Sequence, residues 1–304
     1  MSRSARVAAE AKINLLLRVL AREESGYHAI ETVFLRITLA DNVVVRVGDD
    51  VRGRSLDCAG DAVPKRGLGA TEKNLAYRAA GVYADATGWP KSFAIELTKR
   101  IPTGAGLGGG SADAGAVLRA LDALSPSPLG RELSELGPPL GADVSFMTID
   151  SPMALAWGRG ERLLPLPVLA PRSVGLVLPD FGVSTKDAYG WLAHDRGTYE
   201  ARSAVLQPTE LDTWEGIAAV AMNEFEPVVA RRHPEIATYV EALRGAGALP
   251  AMMSGSGSAV FGIFADAERA EAGVEAAARA CRTTSARGLV VSTAARVERV
   301  AIES

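Results

Sequence analysis

The first third of the chain reads as strands separated by turns. Residues 13–20 are apolar and rich in branched side chains. Residues 32–39 and 43–47 repeat that character, with Asp41-Asn42 as the turn between them. A helix is predicted over 72–86, with Leu75, Ala79 and Val82 on one face. Phe93, Ile95 and Leu97 then alternate with Ala94, Glu96 and Thr98, the beat of a strand with one buried face. A glycine-rich stretch at 102–113 opens a second helix, which presents Ala114, Val117, Leu118 and Leu121 inward and stops at Ser125-Pro126-Ser127-Pro128.

The later chain mixes both periods. Residues 153–166 read as a hairpin around Gly158-Arg159-Gly160. A strand is predicted at 174–178, a helix at 217–232 interrupted at Pro227, and another helix at 235–244. Short strands at 251–253 and 259–264 flank Ser254-Gly255-Ser256-Gly257-Ser258, and a helix at 267–281 and a strand at 289–293 follow. Two units are expected, divided as 1–160 and 161–304.

Composition acts mainly by exclusion. The 304 residues are enough for two cores, and 48% hydrophobic with 23% charged residues is ordinary for a soluble globular protein. A net charge of −3 supplies no general basic field for nucleic acid. Cys58 and Cys281 lie far apart, and His28, His194 and His233 form no cluster with them, which argues against a zinc site or a disulfide framework. The apolar stretch near the N-terminus is broken by Glu10, Lys12 and Asn14, unlike a secretory or membrane-spanning segment. The expectation is a cytoplasmic protein with a small-molecule substrate and no nucleic acid, membrane or obligate protein partner.

Candidate chemistry concentrates in residues 102–113, where five of the seven residues from Gly104 to Gly110 are glycine. Such a loop, placed between a strand and a helix N-terminus, cradles phosphate through backbone N–H groups and a partial positive charge. Gly110 stands where a Walker loop needs lysine, so that motif fails. Gly104, Gly106 and Gly109 satisfy the dinucleotide-binding spacing, but the acidic residue expected about 20 residues on is absent. Five clustered glycines each cost roughly 0.5–1 kcal/mol against alanine, which disfavours an idle hinge.

Residues 102–113 resemble, almost letter for letter, the phosphate loop of the GHMP kinases. Ala11-Lys12-Ile13-Asn14-Leu15, Lys73-Asn74-Leu75, Gly141-Ala142-Asp143-Val144 and Ser254–Ser258 resemble further motifs of that family, in the same order. Gly26-Tyr27-His28 resembles its branch that acts on a cytidine-diphosphate-linked methylerythritol. Two positions depart from the pattern: Ser145 and Met147 stand where the family usually has proline and phenylalanine. The resemblance implies an α+β fold of two domains, the first like ribosomal protein S5 domain 2 and the second ferredoxin-like. It also implies an ATP- and Mg²⁺-dependent transfer of the γ-phosphate to the 2-hydroxyl of that alcohol, a step of non-mevalonate isoprenoid synthesis.

Position alone leaves Asp143 evenly balanced between a helix N-cap and a base, and favours Lys12 as an outward-facing strand residue. The resemblance makes them a catalytic pair. It assigns Pro102, Thr103, Gly104, Ala105, Gly106, Leu107, Gly108, Gly109, Gly110, Ser111 and Ala112 to the nucleotide, with Asn74 near the adenine. Lys99 either faces the nucleotide or ends a strand in solvent. Ser111 is expected as the N-cap of the helix after the loop and as a Mg²⁺ ligand. Asn14, Tyr27, His28, Thr185, Tyr189, Gly255 and Ser256 are the candidate substrate contacts, with Tyr189 facing Tyr27 and His28 across the cytosine. Alternatives are a kinase of homoserine or mevalonate, a nucleotide-dependent oxidoreductase, and a binding protein without activity.

Overall fold

A computed structural model of the chain describes residues 2–22, 28–65, 67–196, 206–281 and 285–303. Two long antiparallel strands, β1 (Arg3–Arg22) and β2 (His28–Val47), pair from Arg3↔Val47 to Arg22↔His28. Both exceed the sequence expectation. The start of β1 alternates exposed Arg3 and Arg6 with buried Ala5 and Val7, and residues 9–17 are then buried on both faces.

Asp41-Asn42 is not a turn: these residues pair with Ala9 and Ala8 inside the ladder. The polar pair looks like a turn only while its partners are unknown. Asp41 is 1% exposed, and its carboxylate accepts the backbone N–H groups of Arg100 and Ile101 and the ammonium of Lys99.

Next come β3 (Arg54–Ala59), α1 (Leu75–Thr87) and β4 (Phe93–Thr98). β3 was missed because its side chains are almost all exposed; it runs parallel to β4 at the sheet edge. Asn74 caps α1 by accepting the Ala76 N–H at 2.9 Å. Then follow α2 (Gly109–Leu124), α3 (Val144–Thr148) and the hairpin β5 (Met153–Gly158) and β6 (Arg162–Pro165), with β5 laid along β2. The inward face of α2 is packed on this sheet, and Ala114, Val117, Leu118 and Leu121 are fully buried as expected.

The second half contains β7 (Ser173–Pro179), α4 (Thr185–Asp195), α5 (Trp214–Val220), β8 (Met222–Asn223), α6 (Phe225–Ala230) and α7 (Glu235–Gly245). It continues with β9 (Ala251–Met253), β10 (Val260–Phe264), α8 (Ala267–Ala280), β11 (Ala286–Ser292) and β12 (Ala301–Glu303). Its sheet has the order β11-β7-β10-β9, entirely antiparallel, with α7 and α8 against it: the ferredoxin-like β-α-β-β-α-β arrangement. The helical stretch expected over 217–232 breaks at residues 221–224, not at Pro227. Met222 and Asn223 leave the helix to pair with Leu16 and Leu17, while Pro227 falls in the first turn of α6, where its missing N–H costs nothing. β8 and β12 both join β1 and β6 joins β5, so three segments beyond residue 160 complete the first sheet.

Because Leu118 is fully buried between α2 and the sheet, Leu118→Ala should lower unfolding stability by about 2–5 kcal/mol. Urea denaturation reads this directly, and a loss below about 1 kcal/mol would mean that α2 is loosely packed.

Candidate active site

The glycine loop hangs between β4 and α2 and is fixed from three sides. Lys12 donates its backbone N–H to Leu107 O at 3.0 Å, Ala259 donates to Ala105 O at 3.0 Å, and Ser254 Oγ donates to Gly106 O at 3.0 Å. Gly104, Gly106 and Gly108 have φ of 75°, 78° and 70°, while among the described residues no non-glycine residue has positive φ. The alternating sign turns successive N–H groups toward one concavity, an anion-binding nest. Gly106 also touches the second glycine turn: a Cβ there would overlap the Ser254 carbonyl oxygen. Gly108, not Ser111, is the N-cap of α2; Ser111 is the helix's third residue and lines the cleft.

Beneath the loop lies a buried triad. Lys99, 3% exposed, is ion-paired with Asp41 from β2 and Asp113 from α2. It lines the cleft at the loop, but its ammonium is tied down by two carboxylates rather than offered outward. Burial disfavours that ammonium, yet Asp113 and Asp41 together hold its pKa above the ordinary value. Burial pushes Asp113 up from its ordinary 3.8 to about 7; Lys99 pulls it down and Asp41 pushes it up again.

Lys12 does not face outward. Its ammonium donates to Asn14 Oδ1 at 2.7 Å and Gly106 O at 3.2 Å, and lies 3.3 Å from Asp143 Oδ2. Asn14 is held in turn, donating to Thr32 Oγ1 at 2.8 Å, and Thr32 donates to Leu16 O. Asp143 does sit at the N-cap position of α3, but its side chain makes no cap hydrogen bond. The carboxylate faces the cleft and Lys12 instead. Ser145 donates to Ser134 O at 2.9 Å, which ties α3 to the preceding segment where the resemblance expected proline.

The cleft is about 580 Å³ and is lined by the loop from Pro102 to Ser111 together with Lys12, Asn14, Asn74, Lys99 and Asp143. Ala105 and Leu107 are buried anchors whose backbone borders it, and Ala112 is buried behind it. A second cavity of about 1120 Å³ adjoins it, sharing Ala142, Thr185 and Tyr189. There His28 and Tyr189 stack on each other with ring centroids 4.2 Å apart, so they share one side and do not face each other across a gap. Burial, and then the charge of Asp143, push the Tyr189 phenol up to about 12, which keeps it neutral. Tyr27 and Gly26 lie outside the described residues. Thr185 Oγ1 and Ser256 Oγ are 3.0 Å apart, and Gly255 and Ser256 line the first cleft.

Sequence reasoning assigned no chemistry to residues 223–226, yet they hold the second glycine turn. Asn223 Nδ2 donates to Met253 O and Gly255 O at 2.8 Å each, and Glu226 accepts the Met253 N–H at 2.7 Å. Asn223 is buried by the fold, and no local pattern in the sequence marks it. His233 is half-buried and stacks on Phe181.

Comparison with known proteins agrees with this geometry. The GHMP kinases N terminal domain matches residues 74–153 and the GHMP kinases C terminal family matches 208–283. A 4-diphosphocytidyl-2-C-methyl-D-erythritol kinase of Solibacter usitatus is 40% identical over 273 residues, covering 87% of this chain and 83% of its own. The Deinococcus radiodurans enzyme of that name is 39% identical over 277 residues, covering 90% and 88%. The chain belongs to the 4-diphosphocytidyl-2-C-methyl-D-erythritol kinases, within the GHMP kinases.

A crystal structure of a kinase of this family superimposes with a TM-score of 0.72 at 36% identity, covering 95% of this chain and 98% of the other. A homoserine kinase from Cytophaga hutchinsonii superimposes at 0.71 with 19% identity, covering 99% and 97%, a likeness of fold alone. The expected two-domain GHMP kinase fold is therefore present. Within it, the two glycine turns meet over a cleft that ends at the Lys12–Asp143 pair. Among the described residues no group of three or more His, Cys, Asp or Glu is placed to hold a metal, and no helix is long and apolar enough to cross a membrane.

Two predictions follow from the loop and its foundation. Gly106→Ala combines a left-handed backbone with overlap on Ser254, and should raise the KM for the nucleotide by roughly tenfold or more in steady-state assays; an unchanged KM would show that the loop does not hold the nucleotide. Between about pH 4 and pH 7 the folded chain retains a proton at Asp113 that the unfolded chain has lost, so the stability due to this group falls as pH rises through that window. Asp113→Asn lacks this dependence. In urea unfolding, the variant should therefore gain on the native chain between about pH 5 and about pH 8, whereas a constant difference would mean that Asp113 stays ionised throughout.

Proposed function

We propose that the chain transfers the γ-phosphate of ATP to the 2-hydroxyl of 4-diphosphocytidyl-2-C-methyl-D-erythritol, giving the 2-phosphate and ADP. The carrying observation is the position of the Lys12–Asp143 pair, 3.3 Å apart, where the glycine-loop cleft meets the second cavity. ATP phosphates fit the nest and the α2 N-terminus, and Asn74 with Leu68 and Leu75 lines the same cleft and takes the adenine. The alcohol occupies the second cavity. Its cytosine stacks against the His28–Tyr189 pair, and Arg162 and Lys186 bring cations to its diphosphate.

In this reading Asp143 accepts the proton of the attacking hydroxyl. Lys12 stabilises the charge that develops on the transferring oxygens and keeps Asp143 aimed at the junction, while Asn14 fixes Lys12. The loop N–H groups hold the phosphates in line. The donor set suits Mg²⁺, a hard ion that takes few protein ligands beside phosphate oxygens, and the Ser111 hydroxyl and the Asp143 carboxylate would hold it. When bound, that ion neutralises phosphate charge. We place the division between a nucleotide-binding and a substrate-binding domain at residue 160, between the two matched family segments, and take the enzyme to work in the cytoplasm without an obligate protein partner.

The test is ATP- and Mg²⁺-dependent turnover of the cytidyl alcohol beside homoserine and mevalonate. The cytidyl alcohol alone should react, and Asp143→Asn should lower kcat by roughly 10²–10⁴-fold. Turnover of homoserine or mevalonate instead would discard the proposed substrate.

A further inference from the structure

Behind the site, and outside the cavities, β1 and β2 bury a second ion pair. Arg36, 1% exposed, places Nη1 3.5 Å from Glu10 Oε2. Its Nη2 donates to Phe146 O at 2.9 Å and Ile149 O at 3.3 Å, the carbonyls of the middle residue of α3 and of the residue that caps its C-terminal end. Arg36 is also the cross-strand partner of Lys12. One cross-strand pair thus grips α3 at both ends, Lys12 through Asp143 and Arg36 through these two carbonyls.

The grip continues through the side chains between them. The guanidinium carbon lies 5.0 Å from the centroid of the Phe146 ring, Phe146 stacks on Phe34 at 5.0 Å, and Lys12 Nζ lies 5.5 Å from the Phe34 centroid. Cation, ring, ring and cation form a continuous column from Arg36 to the ammonium that faces Asp143. A helix of five residues cannot hold its own position by internal hydrogen bonds, so its seat on the sheet is set by such contacts. Burying an ion pair is no gain in stability by itself, which leaves placement as what the pair contributes.

We propose that Arg36, with Glu10 as its counter-ion, is a positioning residue: it fixes where α3 sits on the sheet and thereby where Asp143 points. The inference rests on the reading of Asp143 as the proton acceptor. Burial pulls Arg36 down only to about 10, so it stays charged under assay conditions.

The experiment compares Arg36→Lys and the paired Glu10→Gln/Arg36→Met change, each with and without Asp143→Asn. Circular dichroism and Tm check that each variant is folded. Arg36→Lys keeps the charge but loses the forked donor, and should lower kcat by roughly tenfold with both KM values within about twofold. The paired variant should lose more, roughly 100-fold. In the Asp143→Asn background neither change should cost further activity, because the group being placed is gone. An unchanged kcat, or the same fold-loss in both backgrounds, overturns the inference while leaving the function intact. Full turnover by Asp143→Asn alone overturns the reading of Asp143, and the inference with it. Should the paired variant not fold, Arg36→Lys carries the comparison alone.

Discussion

A buried ammonium has to be surrounded by oxygen, and the burial of Lys12 organises the centre of this molecule. Its three acceptors come from three places: Asn14 on the same strand, Gly106 in the phosphate loop and Asp143 at the head of α3. Each is held by something else. Asn14 is set by Thr32, Gly106 by Ser254, and α3 by Arg36 and Ser145. Satisfying one cation therefore brings the first strand, the glycine loop, the second glycine turn and the acidic residue to a single point. The same constraint puts a carboxylate and a cation side by side at the glycine loop.

Much of this was legible along the chain. The glycine-rich stretch lies between a strand and a helix, as its pattern predicts. What stayed hidden depends on partners distant in sequence. Asp41 reads as a turn residue because Arg100, Ile101 and Lys99, which consume its carboxylate, lie about sixty residues away. Lys99 reads as a strand end for the reciprocal reason. The short pairing of Met222 and Asn223 with β1 cannot be seen in a local pattern, so a helix break was attributed to the nearby proline. Arg36 had no local signature: a lone arginine in an alternating strand ordinarily faces water. The placement of His28 against Tyr189 illustrates a further limit, since both were singled out but only the fold decides that they stack on one side.

The two halves are joined through backbone as much as through side chains. Ala105 accepts from Ala259, Gly106 lies against Ser254, and β12 and β8 add themselves to the strand that begins the chain. Such a junction tolerates little change in spacing, because a peptide group cannot adjust its reach as a side chain can. It also explains why Asn223 is buried with all three polar contacts made inside the protein.

The two cavities touch only along Ala142, Thr185 and Tyr189, with Asp143 beside the join. Two of the three shared residues, Thr185 and Tyr189, belong to α4, so any displacement of that one helix reshapes both cavities together.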